Sequence, residues 1–229
     1  MNEFFFETTR LCTGFNPNNC CQIADLQLQK GQLVSLLGRN GAGKSTFLQT
    51  LSRQIQPIQG QVFIQNKPIQ NFEPIEWAQM AALVNTEKIH ADFLTGEELV
   101  KLGLYPHLGF WAKISEKEQA EIAAIFERLE IGFLRDKFLN HCSDGEKQLL
   151  HVARALAQRT EILILDEITA HLDFVNRRKV FEYLQSAAKE AQKLVFIATH
   201  ELDLAAEYSD KMLIFAEKRA FWGDLTHLR

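Results

Sequence analysis

The sequence predicts an α/β fold: a parallel central sheet, an N-terminal antiparallel β-subdomain, and an inserted α-helical subdomain. Three observations carry this. Apolar runs at residues 33–37, 161–165 and 194–198 are too short for helices and stop at turn or polar residues, as buried strands do. Helical apolar periodicity lies between them, the pattern of parallel strands joined by crossover helices. From about residue 95 to 158 no strand pattern occurs.

The elements follow in chain order. Residues 3–8 and 25–29 alternate and carry strand formers, which predicts the antiparallel part. Residues 33–37 form the first buried strand and end in a glycine-rich turn. Thr95-x-x-Glu98 is a capping box, in which hydroxyl and carboxylate satisfy orphan amides at a helix start. Leu99, Val100 and Leu102 follow, and Gly103 is expected to end that helix. Ser115-x-x-Glu118 opens a second helix, with Ile122, Ile125, Phe126 and Leu129 on one face. Lys117 and Glu121 lie on the opposite face and are expected to be solvated. Ser143-x-x-Glu146 opens a third, with Leu149, Val152, Ala153 and Leu156 inward. Residues 161–165, 194–198 and 212–215 complete the sheet. The expected organisation is one domain over 1–229, with 1–86 and 159–229 as core and β-subdomain and about 87–158 as helical subdomain.

Composition excludes several classes. The 229 residues are 46% hydrophobic and 24% charged, ordinary globular values that argue against long-range disorder and collagen-like structure. The net charge of −4 lacks the basic excess of a nucleic-acid binder, so no nucleic acid is expected as partner. No apolar run approaches the roughly 18–20 residues of a spanning helix. Phe4, Phe5 and Phe6 run straight into Glu7 with no basic segment before them, which argues against a signal peptide. Membrane contact is therefore expected only through a partner. Cys12, Cys20, Cys21 and Cys142 contain no C-x-x-C pair, and reduced thiols in a reducing compartment are expected.

The strongest local signal is Gly38-Arg39-Asn40-Gly41-Ala42-Gly43-Lys44-Ser45-Thr46, which fits G-x-x-x-x-G-K-[ST] without a mismatch, after a strand and before an apolar helix. Triphosphate oxygens need several amides pointing inward, and only a glycine-rich turn brings backbone that close. The helix start adds partial positive charge, Lys44 a full one, and the Ser45 hydroxyl is a Mg²⁺ ligand candidate. A glycine-rich turn without ligand is the bland alternative, but it gives Lys44 no use. Asp166 and Glu167 end the strand at 161–165, where open α/β sheets bind ligands. Asp166 suits Mg²⁺ and Glu167 suits polarising an attacking water, against the bland reading of a solvated acidic pair. His200 follows the strand at 194–198 and falls on the same sheet edge, placed to sense a γ-phosphate.

With these motifs the chain resembles an ABC transporter ATP-binding subunit, a P-loop NTPase of ABC type, over nearly its whole length. Cys142-Ser143-Asp144-Gly145-Glu146 matches the family's L-S-G-G-Q signature in position, and Ala153-Arg154-Ala155-Leu156-Ala157 the helix that follows it. Ala170-His171-Leu172-Asp173 resembles the D-loop and His200 the switch histidine. The resemblance implies that ATP and Mg²⁺ are bound by Gly38, Asn40, Gly41, Gly43, Lys44, Ser45 and Thr46 with Asp166, and that Glu167 and His200 are catalytic. It implies that Ser143, Gly145 and Asp173 complete the site of a second copy in a homodimer, and that Phe15 stacks on adenine; Phe15 as a core strand residue stays open. Partners implied are integral membrane permease subunits, contacted near residues 84–108, and indirectly a substrate-binding protein. The implied place is the cytoplasmic face of a bacterial inner membrane.

Departures from the pattern bear on turnover. The Q-loop glutamine is absent near residues 82–87, leaving Thr86 or Glu87 in its place, with Glu87 a possible Mg²⁺ ligand. Cys142 and Asp144 alter the signature, and Ile168 replaces the proline usual after the glutamate. Glu97-Glu-Leu-Val-Lys-Leu-Gly-Leu-Tyr105-Pro106-His107 is similar to a stretch in importers of iron–siderophore complexes, haem and cobalamin. An importer of iron complexes is thus the expected function. The alternatives are an importer ATPase for another metal or cofactor, a soluble ABC-type ATPase outside transport, and a small-molecule kinase, which leaves the signature unexplained.

Overall fold

The computed structural model describes residues 4–85, 93–108 and 113–224. Among the described residues one sheet holds eleven strands: β1 (Phe6–Gly14), β2 (Cys20–Ile23), β3 (Gln27–Leu28), β4 (Leu33–Gly38), β5 (Gln59–Ile64), β6 (Lys67–Pro68), β7 (Ala81–Val84), β8 (Ile162–Asp166), β9 (Leu194–Ala198), β10 (Lys211–Ala216) and β11 (Arg219–Trp222). The order is β6-β5-β1-β2-β11-β10-β4-β9-β8-β7, with β3 beside β1. From β10 to β7 every neighbour is parallel. Those strands are buried on both faces, which is why they read as continuous apolar runs. The strands around β1 are mostly antiparallel and alternate.

The helices are α1 (Lys44–Leu51), α2 (Pro74–Met80), α3 (Gly96–Lys101), α4 (Glu116–Arg128), α5 (Asp144–Ala157), α6 (Phe174–Lys189) and α7 (Leu202–Tyr208). One apolar cluster joins α1 to the antiparallel strands, where Phe6 packs on Phe196 at 5.1 Å and Phe47 on Phe215 at 5.9 Å. A second joins α3, α4, α5 and α6 to the other face of the sheet through Leu99, Phe126, Leu150, Leu165 and Phe181. Between β7 and β8 the described residues contain no strand element. All three capping boxes form, at Thr95/Glu98, Ser115/Glu118 and Ser143/Glu146.

Four expectations fail for physical reasons. Gly103 does not end α3; the helix stops at Lys101 and tightens into a 3-10 stretch, Leu102–His107. A side chain at Gly103 would strike the Arg154 carbonyl of α5, so close packing is what requires glycine there. Glu121 is not merely solvated, because Arg159 reaches it from beyond α5. Cys12 and Cys20 are joined as a disulfide between β1 and β2, with Cα atoms 5.9 Å apart, which overturns the reduced-thiol expectation for that pair. Cys21 and Cys142 are free and buried. The β1 strand is also longer than its alternation suggests: a register shift between Thr9 and Cys12, with Arg10 at φ 44°, breaks the period in the middle.

Register fixes where the chemistry lies. Ala198 of β9 pairs with Asp166 of β8 on one side and Leu36 of β4 on the other. The three strands therefore finish together. Gly38, Glu167 and His200 each lie within two residues of that line, so three distant segments share one edge.

Candidate functional site

The turn after β4 is built on glycines at φ 148° (Gly38), 76° (Gly41) and 110° (Gly43), values that side-chain-bearing residues rarely adopt. At Gly38 a Cβ would also lie 2.5 Å from the Phe215 carbonyl oxygen. Gly43 is the N-cap of α1 and offers no side-chain cap, and no acidic residue occupies the first turn. The helix start thus keeps its amide donors and positive end for a ligand.

Lys44 lies in this turn with its side chain 3% exposed. Its Nζ donates to the carbonyls of Gly38 at 2.9 Å and Arg39 at 3.3 Å. Burial lowers its pKa, opposed by the nearby carboxylates of Glu167 and Asp166. Glu167 Oε1 is 3.7 Å from the ammonium. The Ser45 hydroxyl donates to Asp166 Oδ1 at 3.1 Å. Burial raises the Asp166 pKa, and the Ser45 hydrogen bond opposes it. A cavity of about 270 Å³ opens here, lined by Asn40, Gly41, Gly43, Lys44, Ser45, Thr46 and Glu167.

Glu167 adopts φ 53°, the left-handed region, and its amide donates to the Ala198 carbonyl at 3.1 Å. Such backbone in a glutamate costs of order 1–3 kcal/mol. The turn swings the carboxylate between Lys44 and His200, whose Nε2 is 3.1 Å from Glu167 Oε1. No sequence pattern announces this conformation.

No group of three or more His, Cys, Asp or Glu side chains suited to a metal occurs among the described residues. One hydroxyl and one carboxylate in contact do fit Mg²⁺, which commonly takes one or two carboxylates and completes its shell with phosphate oxygens and water.

Other predicted residues lie elsewhere. Ser143 and Gly145 open α5 and do not line the cavity. The Ser143 hydroxyl accepts from the Glu146 amide at 3.2 Å. Gly145 backs onto the 170–173 segment: a Cβ there would lie 2.8 Å from the His171 carbonyl oxygen. Asp173 caps α6, accepting from the Asn176 amide at 2.8 Å. Phe15 is 75% exposed in the turn between β1 and β2, apart from the buried Phe5 and Phe6, so it is not a core residue. Thr86 and Glu87 lie outside the described residues. One residue that sequence reasoning passed over is Lys137, whose Nζ holds both carboxylate oxygens of Glu146 at 2.9 and 2.8 Å. That contact lowers the Glu146 pKa and raises that of Lys137.

Residues 21–170 match the family model described as ABC transporter. The chain belongs to the ABC transporter family. As a member it is an ATP-binding, ATP-hydrolysing subunit with the P-loop fold of ABC cassettes. It is 34% identical over 224 residues to an uncharacterized ABC transporter ATP-binding protein of Haemophilus influenzae, covering 97% of this chain and 84% of that protein. It is 29% identical to the iron(3+)-hydroxamate import ATP-binding protein FhuC of Bacillus subtilis, covering 90% and 77%. Among solved structures it is similar to the dimeric bacterial cassette MJ0796, with a TM-score of 0.81 at 21% identity over 96% of this chain and 98% of that one. No helix among the described residues of this ABC subunit is long and apolar enough to cross a membrane.

Proposed function

We propose that this ABC ATPase energises a bacterial importer of iron complexes, acting as an ATP-bridged pair of copies beneath membrane permease subunits. The observation that carries the ATP chemistry is the convergence of Lys44, the Ser45–Asp166 pair and the Glu167–His200 pair on one sheet edge. Amides of Gly38, Gly41 and Gly43, with Asn40 and Thr46, cradle the phosphates, and Lys44 exchanges its carbonyl partners for β- and γ-phosphate oxygens. Ser45 and Asp166 would hold Mg²⁺, which supplies charge neutralisation on the phosphates. Glu167 orients the attacking water and His200 meets the γ-phosphate.

Ser143 and Gly145 of the same chain do not line the cavity. Those two residues and Asp173 serve the nucleotide of a second copy. The exposed Phe174 and Val175 beside Asp173 support burial of that face against the partner. Exposure of Phe15 supports its stacking on adenine. Import of an iron chelate is supported by the name of the Bacillus subtilis relative and by the Glu97–His107 stretch. The permease reaches the chain near residues 84–108, and a substrate-binding protein delivers the cargo.

The test uses a strain lacking this gene. Wild-type protein is expected to restore uptake of radiolabelled ferric siderophore, and Glu167→Gln to fail while accumulating as an ATP-bound dimer by size-exclusion chromatography. Unimpaired siderophore uptake in the deletion strain would remove the cargo assignment. A Glu167→Gln protein that stays monomeric in saturating ATP and Mg²⁺ would remove the paired-copy scheme.

A further inference from the structure

Two segments leave the carboxyl ends of β8 and β9 and carry the Glu167–His200 contact between them. The first, residues 167–173, is a run of tight turns: the Ala170 amide donates to the Glu167 carbonyl at 3.2 Å, and the Leu172 amide to the Thr169 carbonyl at 3.2 Å. Its far end is fixed by Asp173 capping α6 and by the His171 carbonyl lying against Gly145. The second segment is short. The buried Thr199 hydroxyl accepts from the Glu201 amide at 3.0 Å, and His200 between them is exposed. Backbone contacts alone leave the His200 ring little support on its solvent side.

Arg177, in the first turn of α6, joins the two. Its Nε donates to the Leu172 carbonyl at 2.7 Å and its Nη1 to Glu201 Oε1 at 2.7 Å. Both side chains are partly buried, 30% and 27% exposed, so the pair is shielded more than a surface ion pair. A planar guanidinium donating along two fixed directions sets an angle as well as a distance, which an ammonium does not.

We propose that Arg177 is a positioning residue for ATP hydrolysis: its guanidinium ties Glu201 to the Leu172 carbonyl and thereby holds the adjoining His200 against Glu167. It touches no nucleotide. Its action goes through His200, and the proposal rests on the reading of His200 given above. Loss of the tie leaves nucleotide binding at Lys44 intact and lets His200 leave its contact.

The experiment compares Arg177→Gln, Arg177→Lys, Glu201→Gln and His200→Ala in the purified full-length chain. It measures kcat and KM for Mg·ATP, nucleotide affinity by ADP titration, and melting temperature. Arg177→Gln is expected to lower kcat at least tenfold with ADP affinity within twofold of wild type. Glu201→Gln should lower kcat less, and Arg177→Lys should recover part of the loss. In the His200→Ala background, Arg177→Gln should lower kcat by less than a further twofold. A kcat within twofold of wild type for Arg177→Gln overturns the proposal, as does a full tenfold loss on top of His200→Ala. Parallel losses of ADP affinity and melting temperature assign Arg177 to fold stability and also overturn it. If His200→Ala alone hydrolyses ATP at the wild-type rate, the reading of His200 fails and the proposal falls with it; if only Arg177→Gln is silent, that reading stands.

Discussion

Two helix starts in this molecule are proposed to face phosphate, and they are built in opposite ways. At α1, Gly43 supplies no cap, the first turn has no acid, and a buried ammonium stands beside the open amides. At α5, Ser143 and Glu146 cap each other and the first turn carries two acids, Asp144 and Glu146. The first start holds its donors in reserve for an anion. The second has spent them locally and adds negative charge where the proposed partner nucleotide would sit. Lys137 is what offsets that charge, gripping both oxygens of Glu146. A glycine-rich start is thus ready before nucleotide arrives, whereas on the proposed scheme the capped start would exchange a side-chain oxygen for a phosphate oxygen and close late.

The largest expected effect comes from breaking the open start. Lys44→Ala should weaken ATP binding by at least about 100-fold in a nucleotide titration, the range expected when one partner of a buried charged contact is removed. Unchanged affinity would show that the amides alone suffice. A middle-sized effect should come from exposing the acid at the capped start. Lys137→Met is expected to raise the ATP concentration that half-dimerises the Glu167→Gln protein by roughly 3- to 10-fold, on the scale of one charge at a helix terminus. Adding Glu146→Gln should reverse the shift, and failure to reverse it would mean that Lys137 acts through something other than that carboxylate.

The smallest effect lies in the brace beneath the capped start. Arg135 and Lys101 both pair with Glu97 and hold its carboxyl down to about 2, the Arg135 hydrogen bond being the largest cause. The folded-state value lies below the unfolded one near 4.5, so this pairing stabilises above that pH and its contribution disappears as pH falls toward 2. Glu97→Gln should therefore lower the melting temperature by about 2–4 °C at pH 6, for roughly 1 kcal/mol in a chain this size, and by nothing near pH 2. A gap that does not change with pH would place the effect in packing rather than charge.

Much of the site was legible because its signals are local. The turn from Gly38 to Thr46 needs glycine, lysine and hydroxyl at fixed spacing, and each capping box needs two residues three apart. Buried parallel strands announce themselves as apolar runs. What stayed hidden depends on residues far apart in the chain. Lys137 and Glu146 are visible as charges, but their contact depends on the turn before α5. Arg177 reaches Glu201 only because α6 and α7 pack together. Gly103 looked like a helix terminator by the local rule, and a carbonyl of another helix is its reason. The Cys12–Cys20 bond follows from β1 and β2 being neighbours, which cysteine spacing does not state.

The left-handed backbone at Glu167 has a practical consequence for anyone evolving this protein. Glycine and asparagine tolerate that conformation better than glutamate does, so either would relieve about 1 kcal/mol of local cost. On the role proposed for Glu167, a library ranked on heat resistance alone would drift toward those residues at this position and gather robust, inert molecules. Durability and turnover would then pull in opposite directions on a single peptide unit, and a screen would have to reward both.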